Sequence, residues 1–333
     1  MNQHHLLQNL AIAGIIGMTI AQGNAQGAIF EDGDVIAGVG NGLIKVFDNR
    51  GSLKTILDTG FIGETTGMAF DANGNLYVTL FSGQQVVKFD PDGVLLGTFG
   101  SGYNANPESI VFDKSGNVYV GQAEGTRNIL KFDSDGNLLT SFDPITGPRG
   151  TDWIDLAADQ CTMRYTSEGT TIRAFDVCTN AQLPDFSTAL SKSFAHRILQ
   201  DGGELVADSI TSTAKRLDRE GNIVQTYTTP RTELLFALNL DPDGTSFWTA
   251  SITSGNIFQF DIETGSILQS FNGGILGTRL TGLTIVGEIT QGGGGPQSEP
   301  IPEPSAIVGF LALGAISGVS TLKRKLYQIR LSK

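Results

Sequence analysis

The chain has 333 residues, 40% of them hydrophobic and 17% charged, with 43 glycines, 11 prolines and a formal net charge of -12. That length allows one large domain or two smaller ones, and so acidic a balance excludes the basic footprint that nucleic acid or an anionic lipid surface requires.

From Leu10 to Ile20 the chain reads LAIAGIIGMTI, followed by the small residues Ala21, Gly23, Ala25 and Gly27. An apolar run of this length before small residues is that of an export signal, too short to span a bilayer. Residues 1–25 are therefore expected to direct export and to be removed by signal peptidase near Ala25, although His4 and His5 stand where Lys or Arg is usual.

An internal repeat organises the middle of the chain. GMAFDANGNLYVTLFSGQQVVKFDPDGVLLGTFG (67–100) aligns with SIVFDKSGNVYVGQAEGTRNILKFDSDGNLLTSFD (109–143). Phe70 maps to Phe112, Asn75 to Asn117 and Tyr77 to Tyr119 at steps of 42, and Phe89 maps to Phe132 at 43. Each copy reads as four short strands, with Asp-x-x-Gly-Asn and Asp-Gly turns between them. Four antiparallel strands of this size make one blade of a β-propeller.

Degenerate copies begin near Trp153, Phe194 and Leu234. The first copy has only three strands, around Asp34–Ala37, Ile44–Asp48 and Leu53–Leu57, and LTGLTIV (280–286) supplies the missing one from the far end of the chain. The expected fold is thus all-β, a six-bladed propeller over 28–287 whose ring is closed by a C-terminal strand, which removes the exposed sheet edges. Phe70, Tyr77, Phe89, Phe112, Tyr119 and Phe132 recur at equivalent places and are assigned to packing between blades. The Asp-x-Asp-Gly segments at 90–93, 133–136 and 241–244 are assigned to hairpin turns, since none has the spacing of a calcium loop.

Cys161 and Cys178, the two cysteines of the chain, lie symmetrically about the Gly169–Thr170 bond of a hairpin in the fourth repeat. That spacing predicts a disulfide, which an oxidising compartment would allow to form.

Residues 288–301 form a linker rich in glycine and proline. Pro302-Glu303-Pro304, an apolar stretch at 306–322 and the cluster Lys323-Arg324-Lys325 follow, leaving a tail at 326–333. The apolar stretch is at the lower limit for a membrane-spanning helix, and the cations would hold its end in the cytoplasm. This end, 302–325, resembles the PEP-CTERM sorting signal, which implies cleavage by an exosortase and delivery of the domain to the cell envelope, surface or extracellular matrix. Removing the five tail cations from 22 leaves 17 basic against 34 acidic residues.

Propeller ligands usually bind where the inner strands begin, around the central channel. The residues before or at those starts are Glu64, Glu108, Asp152 with Trp153 and Asp155, His196 with Arg197, Glu233 and Arg279. Convergent carboxylates suit a cation, and Trp153 suits stacking against a sugar ring.

The repeat pattern resembles the NHL-repeat and gluconolactonase-like propeller families over about four fifths of the chain. Lactonase relatives hold a metal with carboxylates and Asn, which implies Glu64 or Glu108 with Asp208 as ligands for Ca or Mg. The Asn75-Leu76-Tyr77-Val78 strand resembles virginiamycin B lyase, which relies on histidine, and His196 is the sole histidine outside the export signal. No nucleophile elbow, phosphate loop or catalytic constellation is present. The leading reading is an exported, non-enzymatic module for a polysaccharide or envelope protein, with a metal-dependent hydrolase or lyase as the alternative.

Overall fold

The computed structural model describes residues 28–104, 106–277 and 279–294. Within them the repeats form six four-stranded antiparallel sheets. Blade two comprises Thr65–Phe70, Leu76–Leu80, Gln85–Phe89 and Leu95–Phe99, counted outward from the channel. Blade three repeats the pattern with Pro107–Phe112, Val118–Gln122, Ile129–Phe132 and Leu138–Phe142. The inner strands of blades four, five and six are Trp153–Leu156, Ser193–Ile198 and Leu235–Leu240.

Blade one is assembled from both ends of the propeller. Its inner strand, Gly282–Ile285, pairs with Val35–Gly40, with Val35 opposite Ile285 and Gly38 opposite Gly282. The ring closes as the incomplete first repeat predicts, so no long sheet edge is left open. Gly282 is needed at this seam because a Cβ there would overlap the Thr65 and Thr66 carbonyl oxygens of blade two.

Burial falls from the channel outward. The inner strand of blade three is buried throughout, whereas Leu138–Phe142 at its rim is exposed except for Phe142. The repeated aromatics interlock within and between blades, as Tyr77 does with Phe99 of its own blade at 5.0 Å and with Phe112 of blade three at 5.1 Å.

The hairpins between third and fourth strands share one device. Each begins with an aspartate, at 48, 90, 133, 176, 218 and 261, whose Oδ1 accepts hydrogen bonds from backbone amides two to four residues on. Those amides would otherwise lack partners, which explains the composition without a bound ion.

The Cys161–Cys178 disulfide is formed. The hairpin register pairs Thr162 with Asp176, one residue off the symmetric pairing, so the bridge closes just outside the ladder.

Among the described residues no helix is long and apolar enough to cross a membrane. The expected export signal at 1–25, the linker from 295 on, the sorting segment 302–325 with its apolar stretch 306–322, and the tail 326–333 lie outside the described residues.

Candidate functional site

The two ends of the channel differ. At the end where inner strands finish, the chain beyond the closing strand folds back across the opening. Glu288 accepts hydrogen bonds there from Arg197 Nε at 2.7 Å, Asn239 Nδ2 at 2.8 Å and the Leu240 amide at 2.8 Å. Gly292 and Gly293 lie tight against Phe112, Leu156 and Asp113. The space remaining is about 20 Å³, room for a single water molecule.

The end where inner strands begin stays open, with a cavity of about 90 Å³. Glu64, Glu108, Arg149, Glu168 and Arg279 line it, together with Phe81, Phe236 and Ile252. Glu108 is only 3% exposed. The carboxyl of Asp152, a fully buried residue, lies beside it.

Burial is the main cause that pushes Glu108 well above the usual carboxylate range, and the neighbouring Asp152 adds to it. Asp152 is also raised, again chiefly by burial. Two carboxyls this close in a dry setting oppose each other's ionisation. Even so, Glu108 Oε2 and both Asp152 oxygens lack a partner that donates to them.

Arg149 stands over the pair but is divided among carboxylates. It lies 3.7 Å from Glu108, 3.2 Å from Glu124 and 3.6 Å from Glu168. Lys192 pairs with Glu168 at 2.8 Å. The Glu168 backbone has φ 52°, a left-handed conformation rare for a residue with a side chain.

Glu64, Glu108, Asp152 and Arg279 therefore gather at one mouth, as their places before inner strands suggested. Glu233 borders a neighbouring groove of about 260 Å³ with Arg231, Asn256 and Phe271. Burial pushes its carboxyl up, but hydrogen bonds from Ser254 and Asn256 outweigh this and leave it lowered.

Three expectations are corrected. Trp153 cannot stack on a sugar, because it is 2% exposed and packs edge-on against Phe236 at 5.7 Å. Asp155 turns away from the mouth and accepts the Ile198 amide at 2.7 Å. His196 is wholly buried between blades four and five, where its Nε2 meets the Trp153 carbonyl at 3.2 Å and its Nδ1 meets Glu204. Glu204 in turn accepts from Arg164 at 3.0 Å. Asp155 and His196 thus face the adjacent blade instead of the opening, and Trp153 is packed against an inner strand two blades on.

The suggested metal ligands also separate. Asp208 accepts hydrogen bonds from the Ser191 and Lys192 amides, at 3.2 and 2.8 Å, and orders that loop. Among the described residues, the one group of three ligand-type side chains within 4.8 Å of one another is Cys161, Asp176 and Cys178. Its two sulfurs are already spent on the disulfide.

Arg149, Glu168 and Lys192 were not anticipated. Arg149 had a readable signal, since it stands three residues before Asp152 in the same loop. Glu168 and Lys192 had none, because they reach the mouth from other loops.

Fold and mouth together define the class, a six-bladed propeller with one open channel end. No protein-family model and no curated protein sequence matches the chain. Among solved structures, a chain of the nidogen/laminin complex aligns with a TM-score of 0.61 at 15% identity, covering 77% of this chain and 99% of that one. A protein of unknown function from Bacteroides caccae gives 0.59 at 16% identity, covering 76% and 98%. Virginiamycin B lyase from Staphylococcus aureus gives 0.54 at 13%, covering 73% and 82%. At these identities the likeness is one of fold.

Proposed function

We propose that the chain is an exported binding module whose ligand docks at the open mouth over Glu108. One observation carries this reading: a buried carboxyl, that of Glu108, lines an accessible cavity and has an oxygen without a donor. Leaving such groups unsatisfied costs free energy, and a ligand that donates to them recovers it. The plug at the opposite end makes the mouth a single-ended site, suited to capture and not to passage.

Export is part of the proposal. It is supported by the apolar run at Leu10–Ile20, by the PEP-CTERM-like end at 302–325, and by the disulfide, a bond that cytosolic thiol buffers disfavour. Signal peptidase and an exosortase are the proposed processing partners, and the cell envelope or matrix is the proposed destination.

The hydrolase or lyase alternative draws on the fold shared with the Staphylococcus aureus lyase. Its weakest point here is His196, which is buried against Glu204 and Trp153 and lies outside the mouth.

The binding reading is tested by applying the full chain to an array of neutral, acidic and amino polysaccharides and of purified acidic and basic proteins. Saturable capture that Glu108→Gln abolishes is the expected result. Capture that is indifferent to Glu108→Gln would place the ligand elsewhere.

A further inference from the structure

We infer that the mouth takes a primary alkylammonium group, whether a lysine side chain of a partner protein or a free polyamine, which donates to the buried carboxyl of Glu108. The inference rests on the mouth being the ligand site and names the chemistry that enters it.

Glu108 lines the cavity, its buried Oε2 has no donor, and the oxygens of Asp152 behind it lack one too. An ammonium supplies three N–H donors from a single atom, and Glu108 is the buried carboxyl it meets in the cavity. The walls above them are apolar and aromatic, formed by Phe236, Ile252 and Phe81. Such walls suit a methylene chain that ends in a charge, and the rings favour that charge further. The wall hydroxyls do not compete, because Thr66 bonds Thr79 at 2.8 Å and Thr281 donates to the Thr65 carbonyl at 3.0 Å.

The local charge has the matching sign. Glu64, Glu108, Glu124, Asp152 and Glu168 face Arg149, Lys192 and Arg279 around the opening. Arg149 is drawn outward by Glu124 and Glu168 and stays 3.7 Å from Glu108. A divalent cation fits less well, since it needs six or more oxygens and no three carboxylates converge here. On binding, the ammonium donates to the Glu108 carboxyl.

Calorimetric titration of the full chain with 1,5-diaminopentane and with Nα-acetyl-lysine amide, at pH 7 in phosphate, tests this. Saturable binding is expected. Glu108→Gln should weaken it at least tenfold without lowering the thermal midpoint. Tighter binding of the lysine amide would identify a polypeptide as the source of the amine, and tighter binding of the diamine a free polyamine. No binding to folded wild-type protein, or unchanged binding by Glu108→Gln, would overturn the inference. If the array gives Glu108-dependent capture while both amines are ignored, the amine is wrong and the mouth reading stands. Capture independent of Glu108 defeats both.

Discussion

Glu108 and Asp152 destabilise the fold that carries them. Their carboxyls are raised in the folded state, so between about pH 4 and the folded titration the native chain binds more protons than the unfolded one. Stability from this pair therefore falls as pH rises through that window. Glu108→Gln removes the burden, and thermal melts should show it more stable than wild type at pH 7, by roughly 0.5–2 kcal/mol as for other relieved functional sites. The gain should vanish below about pH 3, where both carboxyls are protonated in either state. A variant less stable at pH 7 would show that the pair is structural.

Residue identity alone marked this mouth only in part. Glu64, Glu108 and Asp152 were legible because they precede inner strands, and chain order brings strand starts to one rim. Trp153, Asp155 and His196 were not, because an inner strand is buried on all sides and its sequence does not reveal which side chains enter the neighbouring blade. Glu168 and Lys192 were invisible because their contribution depends on how loops of adjacent blades meet.

At the scale of the element, turns carry the order. Asp113 accepts amide hydrogen bonds from Ser115 and Asn117 at 2.9 Å, accepts the Asn117 side chain at 2.7 Å, and pairs with Lys131 at 3.4 Å. Asp113→Ala should cost about 2 kcal/mol, read as a lowered denaturation midpoint with unchanged slope. The exposed hairpin aspartates behave in parallel with pH. Hydrogen bonds from Asn137, first its side chain and then its amide, hold Asp133 below the usual carboxylate range, and backbone amides do the same for Asp48 and Asp218. Groups lowered in this way stabilise above about pH 4 and lose that contribution as pH falls through their folded titrations. These turns were the most legible part of the chain, since the aspartates recur at steps of 42 or 43 residues even where the blades around them are degenerate.

The disulfide acts on the same scale. It closes a loop of 17 residues within blade four, whose outermost strand, Ala181–Gln182, has only two residues. Cys178→Ser should cost about 3 kcal/mol, which in a domain of this size lowers the melting midpoint by roughly 5–10 °C. An unchanged midpoint would mean that the short blade is held by its neighbours alone.

For the whole molecule, ring closure and plug are consequences of one C-terminal segment. Gly282–Ile285 completes blade one, and within a few residues Glu288 is bound to Arg197 at the far end of the channel. Closure could be read from the incomplete first repeat. The plug could not, because glycine-rich sequence reads as linker until the surface it lies on is known. Arg197 and Glu288 are both nearly buried, and removing one charge leaves the other unpaired. Glu288→Gln should therefore cost about 3 kcal/mol while leaving the mouth intact.

That contrast offers the most direct measurement. Wild type, Glu108→Gln and Glu288→Gln full chains would be compared for capture on the polysaccharide and protein array, with a melting curve for each. Glu108→Gln should lose capture while its midpoint holds or rises, and Glu288→Gln should keep capture while its midpoint falls. Retained capture by Glu108→Gln, or its loss in a folded Glu288→Gln chain, would contradict a ligand site at the mouth.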